Sequence, residues 1–256
     1  MAGTDSTQDS MVSGTGPAII LVRPQLGENI GASARAMLNC GLTDLRIVNP
    51  RDGWPSPQAV RASSGADTVI ENARIYQTTG QALAGLERVF ATTARPRDMV
   101  KPVMTPEAAA LEIRRVEAEG STCGVLFGAE RMGLENDDVV LADTVIEVPL
   151  NPAYKSLNLG QAVLLISWSW FRLADETPEV RLELGATRPA TKEELLNFFT
   201  RMETALIESG FLYPEAKRPA MIRNIRNMFQ RLAPTDQDLR TLHGIVASLF
   251  KHRGEK

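Results

Sequence analysis

The chain has 256 residues, 43% hydrophobic and 23% charged, with a formal net charge of −3, enough for one large or two small folded domains. Its two cysteines, Cys40 and Cys123, show no metal-ligand spacing, and His243 and His252 are the only histidines. That argues against a zinc site or a disulfide framework and fits a reducing, cytoplasmic setting.

Residues 1–16 are rich in Ser, Thr, Gly and Asp, with no basic n-region or apolar h-region. They read as a disordered leader rather than a signal peptide. Ala18–Val22 is apolar and predicts a first strand. Asn29–Asn39 carries small residues at helical spacing, with Gly41 as a stop. Leu45–Val48 predicts a second strand, closed by Asn49-Pro50, and the turn-rich loop 51–57 leads into a small-residue helix at Val60–Ala66. Thr68–Ile70, Ile75–Tyr76 and Val89–Ala91 read as short strands, with a helix at Thr79–Gly85 between the last two. Thr105-Pro106-Glu107 is a cap followed by Pro at the first helical position, and predicts a helix to Glu119. A strand at Gly124–Phe127, a short helix near Asn136–Leu141, a strand at Thr144–Val148 and a long apolar helix at Leu157–Ala174 follow. Apolar runs such as Ala162–Trp170 are too short to span a bilayer.

Strands alternating with helices argue for an α/β fold with a parallel sheet covered on both faces. Residues 176–190 read as a linker, and the pattern then turns purely helical over 191–256: Lys192–Ser209, Pro219–Leu232 and Thr235–Lys251. Charge changes with it. Residues 188–256 hold 12 Lys/Arg against 8 Asp/Glu, a balance of +4, while the rest holds 16 against 23, a balance of −7. Lys217, Arg218, Arg223, Arg226 and Arg231 concentrate the excess, and a local basic surface binds phosphate even on an acidic chain. The plainer alternative is a solvated basic face pairing with Glu194 or Glu203.

Two segments carry the most chemistry. Val125-Leu126-Phe127-Gly128-Ala129-Glu130-Arg131-Met132-Gly133-Leu134 and Val148-Pro149-Leu150-Asn151-Pro152-Ala153-Tyr154-Lys155-Ser156-Leu157-Asn158 each leave a strand and break into Gly, Pro, Asn and Ser. Strand ends of this kind free backbone N–H and C=O groups to meet a ligand. No charged triad or metal cluster accompanies them, so the site reads as one that binds and positions.

Together with Asn29-Ile30-Gly31-Ala32-Ser33-Ala34-Arg35, in this order and spacing, these segments resemble the three motifs of the SpoU (SPOUT-class) RNA 2′-O-ribose methyltransferases. Within that class the chain is similar to the bacterial enzymes that methylate cytidine or uridine 32 of the tRNA anticodon loop. The likeness runs from about Ala18 to Arg172 and more weakly through the helical tail. It implies a SPOUT domain over residues 17–175 with a C-terminal trefoil knot, S-adenosylmethionine as methyl donor, tRNA as substrate and no metal.

Carried over residue by residue, the resemblance implies Arg35, Asn29, Glu130, Ser156 and Asn158 as catalytic. An Arg is a poor general base, its pKa lying above ~12. Binding the adjacent phosphate and stabilising developing alkoxide charge suits it better. As a plain structural residue, Arg35 would be solvent-exposed on an Ala-rich helix and Asn29 a helix N-cap. Thr92, Thr93, Ala94, Gly128, Val148, Ser156 and Leu157 fall where the family holds its cofactor, with Glu130 beside them. Arg95 and Arg97 adjoin that wall as RNA contacts. Lys155 departs from the smaller residue the family pattern leads one to expect. Trp168, Trp170 and Phe171 leave the last helix of the domain apolar all round, and the family pairs this region with a second subunit. Two other functions fit the same residues: the same chemistry on ribosomal RNA, or a non-catalytic RNA-binding module of the same fold.

Overall fold

The computed structural model describes residues 16–94, 99–180 and 184–251. They fall into two compact units, divided between Glu176 and Thr177.

The first unit is built on a parallel sheet. Its strands are β1 (Ala18–Val22), β2 (Leu45–Val48), β3 (Arg74–Tyr76), β4 (Arg88–Thr92), β5 (Val103–Met104), β6 (Cys123–Phe127) and β7 (Thr144–Ile146), in the order β3-β2-β1-β6-β4-β7-β5. Every pairing is parallel. The helices are α1 (Gly27–Asn39), α2 (Pro57–Ser63), α3 (Asp67–Glu71), α4 (Thr79–Ala82), α5 (Pro106–Ala118), α6 (Asn136–Val139) and α7 (Leu159–Arg172). Side chains alternate across a strand, and β1 shows the result. Ile19 and Leu21 enter one core cluster with residues of α1, α5 and α7, while Ala18, Ile20 and Val22 enter another with Ala82 and Val139. All five β1 residues are buried, and full burial of each Ile or Leu contributes about 1.5–3 kcal/mol.

The α/β class and the parallel sheet match the expectation, and two local readings change. Thr68–Ile70, read as a strand, lies in α3, where the N–H groups of Val69 and Ile70 both bond to the Ala66 carbonyl. Both side chains enter the same core cluster, which adjacent residues of a strand, facing opposite ways, could not do. The second change is β5. It has only two residues, Val103 is 60% exposed, and its ladder to Val145 and Ile146 rather than an apolar run makes it a strand.

Within the second unit, α8 (Lys192–Glu208), α9 (Arg218–Leu232) and α10 (Asp236–Lys251) enclose Leu195, Phe198, Phe199, Met202 and Leu239, joined by Ile225, Phe229 and Leu242. Thr191 caps α8 with its hydroxyl on the Glu194 N–H, and the Glu194 carboxylate returns to the Thr191 N–H, a reciprocal capping box. No described helix of the chain is long and apolar enough to cross a membrane.

Candidate active site

Ligands of parallel sheets bind outside the carboxyl ends of the strands, and the cavity of this unit lies there. It measures ≈ 350 Å³, within the range of small-molecule sites. Three neighbouring strands supply it. Thr92–Ala94 follow β4, Gly128–Leu134 follow β6, and Val148 and Leu150 follow β7, with Lys155, Ser156 and Leu157 closing over the top. Phe127, Ile146, Leu159 and Ala162 give it apolar walls. Thr92, Thr93, Ala94, Gly128, Val148, Ser156 and Leu157 therefore line one pocket, with Glu130 among them.

The walls are tied by backbone geometry. Thr92 Oγ1 donates to the Leu126 carbonyl at 2.9 Å, and Thr93 N–H donates to the Ile146 carbonyl at 3.1 Å. The loop after β6 folds back on itself, with Gly133 N–H on the Ala129 carbonyl at 2.7 Å. A Cβ on Gly128 would stand 2.0 Å from Leu134 N and 2.1 Å from Gly133 C, so only glycine fits. The left-handed turn falls instead on Gly133, at φ +68. The closeness at Gly128 is thus to its own returning loop.

The pairing of β1 with β6 sets the start of α1 beside Glu130. That carboxylate accepts three N–H donors: Gln25 N at 2.8 Å, Leu26 N at 3.2 Å and Asn29 Nδ2 at 2.7 Å. Asn29, 8% exposed, accepts in turn from Asn158 Nδ2 at 2.8 Å through its Oδ1. The Asn158 Oδ1 accepts the Gly160 N–H at 2.9 Å and so caps α7. One hydrogen-bond chain, Glu130–Asn29–Asn158, joins the loop after β6, the start of α1 and the cap of α7. Asn29 is not the N-cap of α1, since Leu26 holds that position. Its amide is spent as a link in the chain. The helices approach closely here: a Cβ on Gly160 would lie 2.8 Å from the Ala32 Cβ.

Arg35 is exposed on α1, one turn beyond Ala32 on the stripe facing the start of α7. It has no side-chain hydrogen bond or ion pair among the described residues and does not line the pocket. Asn29 and Asn158 lie behind the wall rather than in it. Ser156 lines the pocket. Among the described residues no cluster of three His, Cys, Asp or Glu is placed to hold a metal.

A second clamp, unforeseen from the sequence, ties the connection after β1 to α6 and α4. Arg23, at φ +50, ion-pairs with the buried carboxylate of Asp138 and reaches Glu135 at 3.5 Å. The Asp138 carboxylate also accepts from Thr79 Oγ1 at 2.6 Å and from Glu135 N at 3.1 Å. Only the tertiary fold brings these residues together; the one signal in the sequence was an Arg directly after an apolar strand.

Of the expected RNA contacts, Arg95 and Arg97 lie outside the described residues. On the second unit, Arg226 makes a two-pronged pair with Glu203 at 2.6 and 2.9 Å, and Arg218 reaches Glu215 at 3.3 Å. Lys217, Arg223 and Arg231 are exposed with no such pair among the described residues. The other acid considered as a partner, Glu194, binds Arg188 instead.

On α7, Trp170 is 4% exposed. Its ring lies under Arg114 at 3.6 Å, and its Nε1 donates to Glu117 at 3.0 Å. Burial holds the Glu117 carboxyl above the usual carboxylate range. Of the three aromatics that make this helix apolar all round, Trp170 is thus covered by α5 of the same chain. Trp168 at 51%, Leu164 at 43% and Leu173 at 46% remain exposed.

Comparison with known proteins supplies the context. Residues 16–168 match the model of the SpoU rRNA Methylase family, and residues 193–255 match the C-terminal domain of tRNA methyltransferase TrmJ. The tRNA (cytidine/uridine-2'-O-)-methyltransferase TrmJ of Cronobacter sakazakii is 35% identical, over 93% of this chain and 97% of that one. The crystal structure of TrmJ from Z. mobilis ZM4 is 48% identical and superposes with a TM-score of 0.79, covering 92% of this chain and 99% of its own. The AdoMet-bound rRNA methyltransferase from Sinorhizobium meliloti, 20% identical with a TM-score of 0.50 over 63% of this chain and 58% of its own, shares the fold.

Proposed function

The chain belongs to the SpoU methylase family, and on that premise we propose that it methylates a ribose 2′-hydroxyl of tRNA, at nucleotide 32 of the anticodon loop, with S-adenosylmethionine as donor. What carries the reading is the chain Glu130–Asn29–Asn158, which ties the starts of α1 and α7 to the loop after β6 that lines a cavity of nucleoside size. The trefoil knot implied by the family is part of the proposal.

The cavity suits the donor. Apolar walls at Phe127, Ile146 and Leu159 accept an adenine, and the strand ends at Thr92–Ala94 and Val148–Leu150 offer main-chain groups beside them. S-adenosylmethionine, when bound, supplies an electrophilic methyl group. The protein's residues do the rest by positioning and by charge stabilisation.

Glu130 and Asn158 act through Asn29, keeping the start of α1 in register with the pocket. Glu130 is a positioning residue on this reading, because both of its oxygens already accept N–H donors. Ser156, in the wall, takes a hydrogen bond with the ribose or its phosphate. Arg35 is the cation free to hold the neighbouring phosphate and to stabilise charge on O2′ as its proton leaves, acting on RNA that reaches from the pocket to α1. Arg95, Arg97, Lys217, Arg223 and Arg231 are the proposed further RNA contacts, Arg226 and Arg218 of the expected set being engaged by Glu203 and Glu215. Leu164, Trp168 and Leu173 on α7 are the proposed centre of a homodimer interface, since exposed aromatic and aliphatic area of this kind marks contact surfaces.

Labelled methyl transfer from S-adenosylmethionine to separate pools of tRNA and ribosomal RNA tests the proposal, beside calorimetry of donor binding. Transfer to tRNA supports it. Transfer to ribosomal RNA alone moves the same chemistry to another substrate, and RNA binding without donor binding leaves a non-catalytic module.

A further inference from the structure

The loop that closes the pocket carries an aromatic side chain that nothing among the described residues covers. Tyr154 is 73% exposed and belongs to none of the ring pairs found among the described residues. Exposed loop residues usually sit on adaptable backbone, but this turn is fastened: Tyr154 N–H donates to the Asn151 carbonyl at 2.8 Å and Ala153 N–H to Asn151 Oδ1 at 3.0 Å. Pro149 and Pro152 stiffen it further by fixing φ. An aromatic ring is therefore held in solvent one residue before the pocket wall.

Two cations stand with it. Lys155 lines the pocket, and its Nζ meets Glu147 at 3.9 Å with both side chains about half exposed. A pair this long and wet contributes little, so the ammonium exchanges easily for a better anion. Arg131, exposed in the loop after β6, also lines the pocket and has no hydrogen bond or ion pair among the described residues. The chain outside residues 188–256 carries −7, so two loosely held cations at one opening run against the local balance of charge. A ring with cations at its sides suits a nucleotide, whose base stacks on aromatic faces and whose phosphates seek ammonium and guanidinium groups.

We infer that this opening recognises the nucleotide presented for reaction, with Tyr154 as the stacking platform for a base and Lys155 and Arg131 as the cations for its flanking phosphates. The inference rests on the methyltransferase reading above and adds specificity residues to it. Lys155, where the family pattern leads one to expect a smaller side chain, becomes an RNA contact.

The test measures both tRNA affinity, by fluorescence anisotropy, and turnover, using the full chain. Tyr154→Ala is expected to weaken tRNA binding roughly 5- to 100-fold, with Tyr154→Phe restoring it because the ring returns. Lys155→Ala and Arg131→Ala should each flatten the log–log salt dependence of tRNA affinity by about 0.7–0.9, and Lys155→Arg should restore the slope. Calorimetry should give unchanged S-adenosylmethionine affinity in all of them. Unchanged tRNA affinity in Tyr154→Ala, or a loss of donor affinity in Lys155→Ala, overturns the inference; the second result would assign the ammonium to the donor's carboxylate. If the unmodified chain transfers no methyl group to any RNA, the methyltransferase reading falls, while the binding comparison still decides this one.

Discussion

The two units use charge in opposite ways. In the sheet unit, polar side chains near the site are tied to one another across loops far apart in sequence, as Glu130 is to Asn29 and Asn29 to Asn158. Arg35 is left over. In the helical unit the basic excess looks from the sequence like one surface, yet Arg226 is taken up by Glu203 and Arg188 by Glu194. A run of cations counts potential contacts, and the fold decides how many stay available. Arg35, unpaired among the described residues on the helix tied to the pocket loop, is thus a sharper functional sign than five basic residues on a helical tail.

The largest effect is expected at that lone residue. Arg35→Ala should lower single-turnover methyl transfer by about 10²–10³, roughly 3 kcal/mol of transition-state stabilisation, and leave donor affinity nearly unchanged by calorimetry. Near-normal turnover would remove the contrast between the units.

Gly128→Ala comes next. The new Cβ would press on the Gly133–Leu134 backbone, and overpacking of this kind costs about 1–3 kcal/mol. Chemical denaturation should show that loss in the sheet unit together with weaker donor binding. Unaltered stability and affinity would mean that the returning loop is softer than its geometry implies.

In the tail, two substitutions should part company. Arg223→Ala with Arg231→Ala, both exposed and unpaired among the described residues, should flatten the salt slope of tRNA binding by one to two units without loss of stability. Arg226→Ala instead removes the partner of Glu203, whose side chain is only 13% exposed. It should cost about 1 kcal/mol of stability. Equal effects of both on the salt slope would restore the picture of one undivided basic surface.

Legibility from sequence followed the same divide. The strands Ala18–Val22 and Leu45–Val48 were readable to the residue, because buried parallel strands are short apolar runs between turn formers. The seven residues that the family resemblance assigned to the donor all line the cavity, since its motifs sit at strand ends that open into small residues. Non-local pairings were not readable. Glu130 meets Asn29 across 101 positions and Arg23 meets Asp138 across 115, and no local spacing encodes either. The same holds for Trp170, whose burial depends on Arg114 and Glu117 of α5, and for α3, where the shared core chose a helix for a β-branched triplet.

The smallest effect is acid sensitivity of the tail. Hydrogen bonds from Arg188, then from the Thr191 backbone, hold the Glu194 carboxyl down at about 2. A carboxylate whose folded-state pKa is lowered stabilises the fold above its ordinary value, and that contribution is lost as pH falls from there toward 2. Thermal melts should show the tail losing this small increment over that window, and Glu194→Gln should reduce the dependence to what Asp238, also held low by Thr235, contributes.

The most direct measurement of the central claim is the chemical position of the transferred methyl group. The chain would be incubated with unmodified tRNA and S-adenosylmethionine, and the product mapped by nuclease digestion and mass spectrometry beside the Arg35→Ala variant. The account predicts a 2′-O-methyl ribose at nucleotide 32, absent from the variant reaction. A methyl group on a base, or a product formed equally well without Arg35, would contradict it.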